Sequence, residues 1–595
     1  MCGISGIISK KRIEKDIIEP MTDTIIHRGP DGFGYYYGEK FVFGHRRLSI
    51  VDLSDAGHQP MQYLNRYVIT FNGEVYNHLE LRIELEKNGY LFQSHTDTEV
   101  IMASYDFWGV DCLNKFNGMW AFVIHDRLKD KYFMSRDRFG KKPFYYYKDQ
   151  EKFIFGSEIK VILAHPDVEF KPNLKFLDSY VQNGAKEYIK ETAFESIFRF
   201  DFSSYFEGSL EDIFENFEQN KFWEIKPNLS HDKFDKEKAK EYAKQYYELL
   251  EDAVRIRLRA DVKVGSALSG GLDSSSIVYL VNKLLKEQDK EDLQETFSSV
   301  YKSDGTQECD ESYFIDIMAL KLGVHSNQIE PKEDEIPSQI EKMIWHLENP
   351  PDNSLMSSWH TFKLVASTDV KVTLDGQGAD EQLGGYLPYL LNYISSLSIV
   401  DMFSQAKKCL QIPNSSKYVF VGLCLGLYRV LFGEKFLKFT IKNIFKRDFE
   451  TNLNKKLGID TMSSLITLIH YADHTSMAFS IESRMPFMDY RLVEFLASVP
   501  ACYKMRDGWT KYLARLAFDG KLPDEINWRK DKMGWPIPEK KWFYGNLNRW
   551  FIENIESCKL SKKLSFKEKE NKKFSNNIKR MNLSVWEKSF LNNLD

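Results

Sequence analysis

The chain has 595 residues, 43% of them hydrophobic, which is enough for two to four domains with full cores. A formal net charge of -5 gives no electrostatic footprint for nucleic acid. Seven scattered cysteines (Cys2, Cys112, Cys309, Cys409, Cys424, Cys502, Cys558), odd in number and without a C-x-x-C pair, exclude a disulfide framework and a structural zinc site and fit a reducing cytoplasm. From residue 1 to about 223, short aromatic and β-branched runs such as Phe41-Val42-Phe43, Tyr67-Val68-Ile69-Thr70-Phe71 and Ala121-Phe122-Val123-Ile124 predict stacked, mostly antiparallel sheets. Helical spacing is read over 79–87 and 98–107. A polar stretch, 227–238, leads into a predicted helix over 239–259 and then into alternating strands and helices, the pattern of an α/β unit with a parallel sheet. From about Tyr389 onward the pattern is mostly helical. The apolar run 418–432, interrupted by Arg429, is shorter than the roughly 20 residues a membrane span needs. A buried helix is expected there, contact with a membrane surface being the lesser alternative, and no transmembrane segment or signal peptide is expected.

Cys2 is the most informative residue of the front half. Loss of Met1 would leave a thiol and a free α-amine on one residue, and an amine titrating at about 7.7–8.0 can take the thiol proton. Asn72-Gly73-Glu74 follows an apolar strand, so the Asn72 amide and the Gly73 N–H can face a developing oxyanion. Arg47 can grip a carboxylate through its fork, while Glu74 and Asp97 can bind an ammonium. Taken singly, each has an ordinary reading: Asn-Gly as a turn, Asp97 as a helix cap, Arg47 as surface charge. Taken together they are a nucleophile, an oxyanion hole and a clamp for both charged ends of an amino acid, which is what releasing ammonia from a side-chain amide requires.

In the back half, Ser269-Gly270-Gly271-Leu272-Asp273-Ser274-Ser275 lies between a predicted strand, 262–268, and a predicted helix, 276–286. Glycines there let backbone N–H groups face an anion, the helix start adds favourable partial charge, and the serines add donors. The loop lacks the lysine of a Walker A motif, so a leaving pyrophosphate is its expected ligand. A second cluster, Asp375-Gly376-Gln377-Gly378-Ala379-Asp380-Glu381, follows a predicted strand, 370–374. Asp380 and Asp273 would supply hard oxygens for Mg²⁺ on the phosphates.

Five segments, Met1-Cys2-Gly3-Ile4, His27-Arg28-Gly29-Pro30-Asp31, Arg47-Leu48-Ser49-Ile50-Val51-Asp52, Phe71-Asn72-Gly73-Glu74-Val75-Tyr76-Asn77 and Arg136-Asp137-Arg138-Phe139-Gly140, resemble in order those of class II (N-terminal nucleophile) glutamine amidotransferases, in particular the asparagine synthetase family. The Ser269 loop is similar to the PP-loop of ATP pyrophosphatases. Asp473, the segment 481–489 and the segment 528–535 also resemble the synthetases. The resemblance implies an α+β, αββα glutaminase sandwich over 1–225, followed over 226–595 by an α/β PP-loop domain of the adenine nucleotide alpha hydrolase type with a helical C-terminal region. It implies that Cys2 is the nucleophile with its own amine as base, that Asn72 and Gly73 form the oxyanion hole, and that Arg47, Glu74 and Asp97 hold glutamine. It implies further that Leu268, Ser299 and Gly376 lie along the nucleotide with residues 269–275, and that Lys532 stabilises charge on the adenylate and the pyrophosphate. The cofactors implied are ATP and Mg²⁺.

One position departs from the pattern. Where these synthetases usually carry a glutamate, this chain has Gln377, and Asp375 replaces a serine two residues earlier. An amide can orient a substrate but cannot take a proton, so another group does that work or the acceptor is not aspartate. Three readings follow. The first is a glutamine-hydrolysing carbon–nitrogen ligase of asparagine biosynthesis, cytoplasmic and with room for a homodimer, that passes ammonia internally to an adenylated carboxylate, by default aspartate. The second keeps the chemistry with another acceptor, such as a uronic acid of surface-polysaccharide assembly. The third is a scaffold or regulatory module that retains the fold without the reaction.

Overall fold

In the computed structural model, which describes residues 2–230, 232–289, 294–446, 448–531, 537–566 and 573–591, strand alternation organises the front of the chain. Ile4 and Ile8 of Gly3–Ser9 point into one apolar core and Ile7 into another. Phe41 and Phe43 likewise oppose Val42, and Ala121 and Val123 oppose Trp120, Phe122 and Ile124. A period of two with both faces apolar means that each sheet is covered on both sides. Two six-stranded antiparallel sheets result. One runs 197–199, 145–148, 152–156, 3–9, 41–47, 32–37 and the other 220–221, 204–209, 131–136, 118–126, 67–75, 61–63. They share a core containing Ile4, Phe43, Val68, Val123 and Phe155. On the outer faces, helices Ile18–Asp23 and Ile159–Leu163 cover the first sheet, and His78–Lys87 and Asp97–Trp108 cover the second.

The third sheet is wholly parallel, in the order 325–329, 295–299, 264–267, 372–374, 482–484. Its central strand, Val264–Ala267, has neighbours added on opposite sides. Loops leaving the carboxyl ends of 264–267 and 372–374 therefore diverge around a crevice, the place where open α/β sheets bind ligands. Residues 268–271, running into the first turn of helix Leu272–Lys286, and residues 375–378 are those loops. Helices fill most of the chain after Tyr389.

Buried ions tie the halves together. The fully buried Arg28 donates to Glu158 at 2.8 Å, to Asp473 at 2.7 Å and, through Nε, to the Cys2 carbonyl oxygen at 3.3 Å. Lys142 reaches the other Asp473 oxygen at 3.0 Å. Burial opposes ionisation of Asp473, but Arg28 and Lys142 outweigh it and hold the carboxyl well below its usual range.

The run 418–432 departs from expectation. It is helical, as Ser416–Phe432, but not buried. Its inward face is Val419, Gly422 and Gly426, and its bulky apolar side chains point outward. A Cβ at Gly426 would lie 2.4 Å from Met402 Sδ, so glycine permits the close helix contact and leaves the large side chains no core to enter. Among the described residues no helix is long and apolar enough to cross a membrane.

Candidate active site

Cys2, Arg47, Gly73, Glu74 and Asp97 line one pocket, with Gln59, Thr96 and Thr98 completing its wall. The strand Tyr67–Val75 supplies Gly73 and Glu74 and pairs with Gly118–Asp126, and a Cβ at Gly73 would sit 2.1 Å from the Met119 carbonyl oxygen. Only glycine fits that approach. Asn72 is fully buried behind the wall, where its Oδ1 accepts from the Cys2 N–H at 3.2 Å and its Nδ2 donates to Ser157 Oγ at 3.4 Å. Its side chain thus holds the Cys2 backbone nitrogen. Arg47 is braced by the Ser54 carbonyl at 2.8 Å and by the Asp52 carbonyl, and Gly57 leaves room for its guanidinium.

The ionisable groups of this pocket are strongly desolvated. Burial pushes the Cys2 thiol up, while the positive chain terminus, the Leu48 backbone and Arg47 pull it back. Burial and then Asp97 raise the Glu74 carboxyl well above its usual value. Burial lifts Asp97 to about 7 even though Val75 N–H donates to it at 2.8 Å. Glu74 Oε1 is buried with no hydrogen-bond partner among the described residues, and Arg484 approaches Oε2 only to 3.7 Å. Two desolvated acids, Glu74 raised further by Asp97 and Asp97 by Glu482, would be relieved by an ammonium.

This sets a pH dependence. Asp97 must ionise to receive a cation, so glutamine affinity should fall about tenfold as pH drops from 8 to 6 across its value near 7, and the raised Glu74 carboxyl should add to the fall in the same direction. Calorimetry on Cys2→Ala, which leaves the receptor intact, should find protons released on glutamine binding at pH 6. An affinity independent of pH would remove the receptor assignment.

A second cleft, of about 370 Å³, is lined by Ser269, Asp273, Ser274, Asp375, Gly376, Gln377 and Asp380 together with Tyr386 and Tyr471. The loop folds as its composition predicts. Gly270 is in the left-handed region (φ +70°), Ser274 Oγ accepts from Ser269 N–H at 3.1 Å, and helix Leu272–Lys286 starts from Gly271. Gly376 packs on the loop, where a Cβ would be 3.1 Å from Ser274 N. Leu268, Gly270, Gly271, Leu272, Ser275 and Ser299 lie beside the cleft wall rather than on it, with Ser299 Oγ bonded to the Ser357 carbonyl oxygen at 2.9 Å. Lys532 lies outside the described residues.

Two features of this cleft were not legible as chemistry in the sequence. Lys511, almost fully buried and itself left-handed (φ +53°), puts Nζ 2.5 Å from both Asp273 and Asp380. No spacing connects Lys511 to either acid, which are 238 and 131 positions away, so only the fold reveals the triad. Asp375 accepts from Ser483 Oγ and, at 3.3 Å, from Thr373 Oγ1, while its Oδ1 is buried without a partner among the described residues. Burial lifts this carboxyl to about 6. The parallel strand Glu482–Arg484 spans the two centres: Ser483 bonds Asp375, and the next residue, Arg484, faces Glu74.

Comparison with known proteins agrees with this division. Residues 1–223 match the glutamine amidotransferase domain family, and residues 245–581 match the asparagine synthase family. The chain is 29% identical to the glutamine-hydrolysing asparagine synthetase 1 of Bacillus subtilis, over 93% of this chain and 90% of that protein. It is 30% identical to asparagine synthetase 3 of the same organism, over 94% of this chain and 90% of that one. It is also 27% identical to the amidase chry2 of Gibberella zeae, over 93% and 92%. The chain belongs to the asparagine synthase family and is a glutamine-hydrolysing ligase, with a glutamine amidotransferase domain in front of an asparagine synthase domain.

Proposed function

We propose that residues 1–225, an N-terminal nucleophile sandwich, release ammonia from glutamine and that residues 226–595, a PP-loop domain, use it to amidate an adenylated carboxylate. The observation that carries this reading is the pairing of a Cys2 pocket built for an amino acid with a loop-lined cleft, joined by one strand. In the first centre Arg47 grips the glutamine carboxylate, and Glu74 and Asp97 take its ammonium. The Cys2 sulfur attacks the side-chain amide carbon, and its proton passes by way of the Cys2 amine to the departing ammonia. The Gly73 N–H on the pocket wall stabilises the oxyanion, and the Asn72 amide joins it by turning its Nδ2 from Ser157, after which water cleaves the thioester to glutamate.

In the second centre the acceptor carboxylate displaces pyrophosphate from ATP, ammonia attacks the acyl-adenylate, and AMP leaves. Residues 269–275 suit the phosphates. Asp273 and Asp380 form an oxygen-only donor pair that fits Mg²⁺, which when bound would neutralise charge on the phosphate oxygens. Lys511 positions that pair. Gln377 cannot accept the proton that the attacking ammonia sheds, whereas Asp375, with a carboxyl near 6 and one unengaged oxygen in the same cleft, can.

Aspartate is the default acceptor. A second reading, a sugar acid of surface-polysaccharide assembly, is favoured by Gln377, which lines the cleft with Tyr386 and Tyr471 and offers substrate hydroxyl groups hydrogen bonds in place of a carboxylate. The relative named as an amidase is consistent with acceptors that vary across the family. Purified protein should be given glutamine, ATP and Mg²⁺ with aspartate or a panel of uronic acids, and amide and pyrophosphate scored. Asparagine formation supports the first reading, amidation of a uronic acid supports the second, and inertness with every acceptor and with glutamine would leave a scaffold.

A further inference from the structure

The helical hairpin Ser416–Phe432 and Glu434–Phe445 carries a surface that neither centre uses. Phe420, Leu427 and Leu431 fall on one stripe of the first helix, and Phe436 and Phe439 continue it on the second. Leu431 is 73% exposed, Phe420 67% and Phe439 64%. Ordinary surface helices bury such residues. Here the small Gly422 and Gly426 are buried against Ile394 and Met402, and the bulky side chains are turned to the outside. A contiguous apolar patch of this kind on a folded protein marks an interaction site.

Charge identifies the partner. Residues 416–446 hold Lys417, Arg429, Lys435, Lys438, Lys442 and Lys446 against the single acid Glu434, a net of +5 in a chain whose total is -5. Lys438 is neutralised by Glu434 and Glu450, and Arg429 binds the carbonyls of Ser395 and Leu397, so these two turn inward. Lys417, Lys435, Lys442 and Lys446 are exposed at the edges of the apolar stripe, Lys442 lying 3.2 Å from the exposed Asp448. A second copy would bring like charges together across a two-fold contact, whereas anionic headgroups complement them.

We propose that the 416–446 hairpin docks this enzyme on an anionic lipid surface, the aromatic and aliphatic stripe entering the headgroup boundary and the lysines meeting lipid phosphates. The first helix has 17 residues and lies along the surface, because no described helix is long and apolar enough to cross. It packs on Tyr389–Ser396, which begins three residues after Tyr386 of the synthetase cleft, so docking brings that cleft near the membrane.

The test is co-sedimentation of the full chain with vesicles of phosphatidylglycerol and phosphatidylcholine, or of phosphatidylcholine alone, across a salt series. Binding to the anionic vesicles should be at least tenfold tighter and should weaken with salt. Leu431→Glu combined with Phe439→Glu should lose it at least tenfold while glutaminase activity, which reports an intact fold, is unchanged. Lys435→Glu with Lys442→Glu should remove the preference for anionic lipid. Absence of sedimentation with either vesicle would overturn the proposal. So would light scattering that shows a dimer dissolved by Leu431→Glu and Phe439→Glu, since the stripe would then belong to a second copy.

Discussion

Cys2→Ala should lose glutamine hydrolysis by a factor on the order of 10⁴ or more, because it removes the only thiol that lines the pocket among the described residues. Amide synthesis from added ammonium salt should stay within about twofold of the parent enzyme. The contrast is the informative part. Ala at position 2 removes sulfur but keeps the backbone nitrogen that Asn72 holds and the carbonyl oxygen that Arg28 holds, so the pocket and the Arg28–Asp473 link between the halves should persist. Residual glutaminase at parent rates would show that the nucleophile is elsewhere. Loss of ammonia-dependent synthesis as well would show that the front domain contributes to adenylation directly.

Lys511→Met should produce the opposite pattern, with acceptor-dependent pyrophosphate release falling about 10²–10³-fold and glutaminase retained. The substitution keeps an unbranched side chain one atom shorter and removes the charge that Asp273 and Asp380 share at 2.5 Å. Leaving the buried Asp273 and the half-buried Asp380 without that ammonium costs up to about 3–5 kcal/mol locally. Retained glutaminase separates this from global unfolding, and Lys511→Arg should recover part of the rate. If Lys511→Met released pyrophosphate normally, the triad would be a structural ion pair and the positioning role would be withdrawn.

What could be read from the sequence depended on whether neighbours in the chain were neighbours in space. The 269–275 loop was legible because a strand, two glycines and a helix start are consecutive, and the backbone alone makes the cradle. Cys2, Arg47, Gly73, Glu74 and Asp97 could be named from local chemistry and resemblance, and they line one pocket because the ends of the paired strands 3–9 and 41–47, the strand 67–75 of the facing sheet and the start of helix 97–108 meet there. Strand runs at 41–43, 67–71 and 121–124 were legible through their period of two, though the strands extend further than the apolar runs because paired polar residues such as His45, Asn72 and His125 are also buried.

The rest needed the fold. Lys511 meets Asp273 and Asp380 across three separate segments, and Ser483 and Arg484 reach different centres only because alternate residues of one strand face opposite ways. The 418–432 helix was misread as core for a related reason. Hydrophobicity alone does not say which face packs, and at that contact Met402 and Ile394 leave space for glycine only.

Transfer of labelled nitrogen tests the coupling of the two centres most directly. Glutamine carrying ¹⁵N in its side-chain amide should be supplied with ATP, Mg²⁺, the acceptor and an excess of unlabelled ammonium at pH 7, and the amide product weighed against AMP formed. Most of the product should carry ¹⁵N, with one AMP per amide, if ammonia released at Cys2 passes to the adenylate within the protein. Product carrying the isotope ratio of the bulk ammonium would contradict it, because the two centres would then be independent activities on one chain.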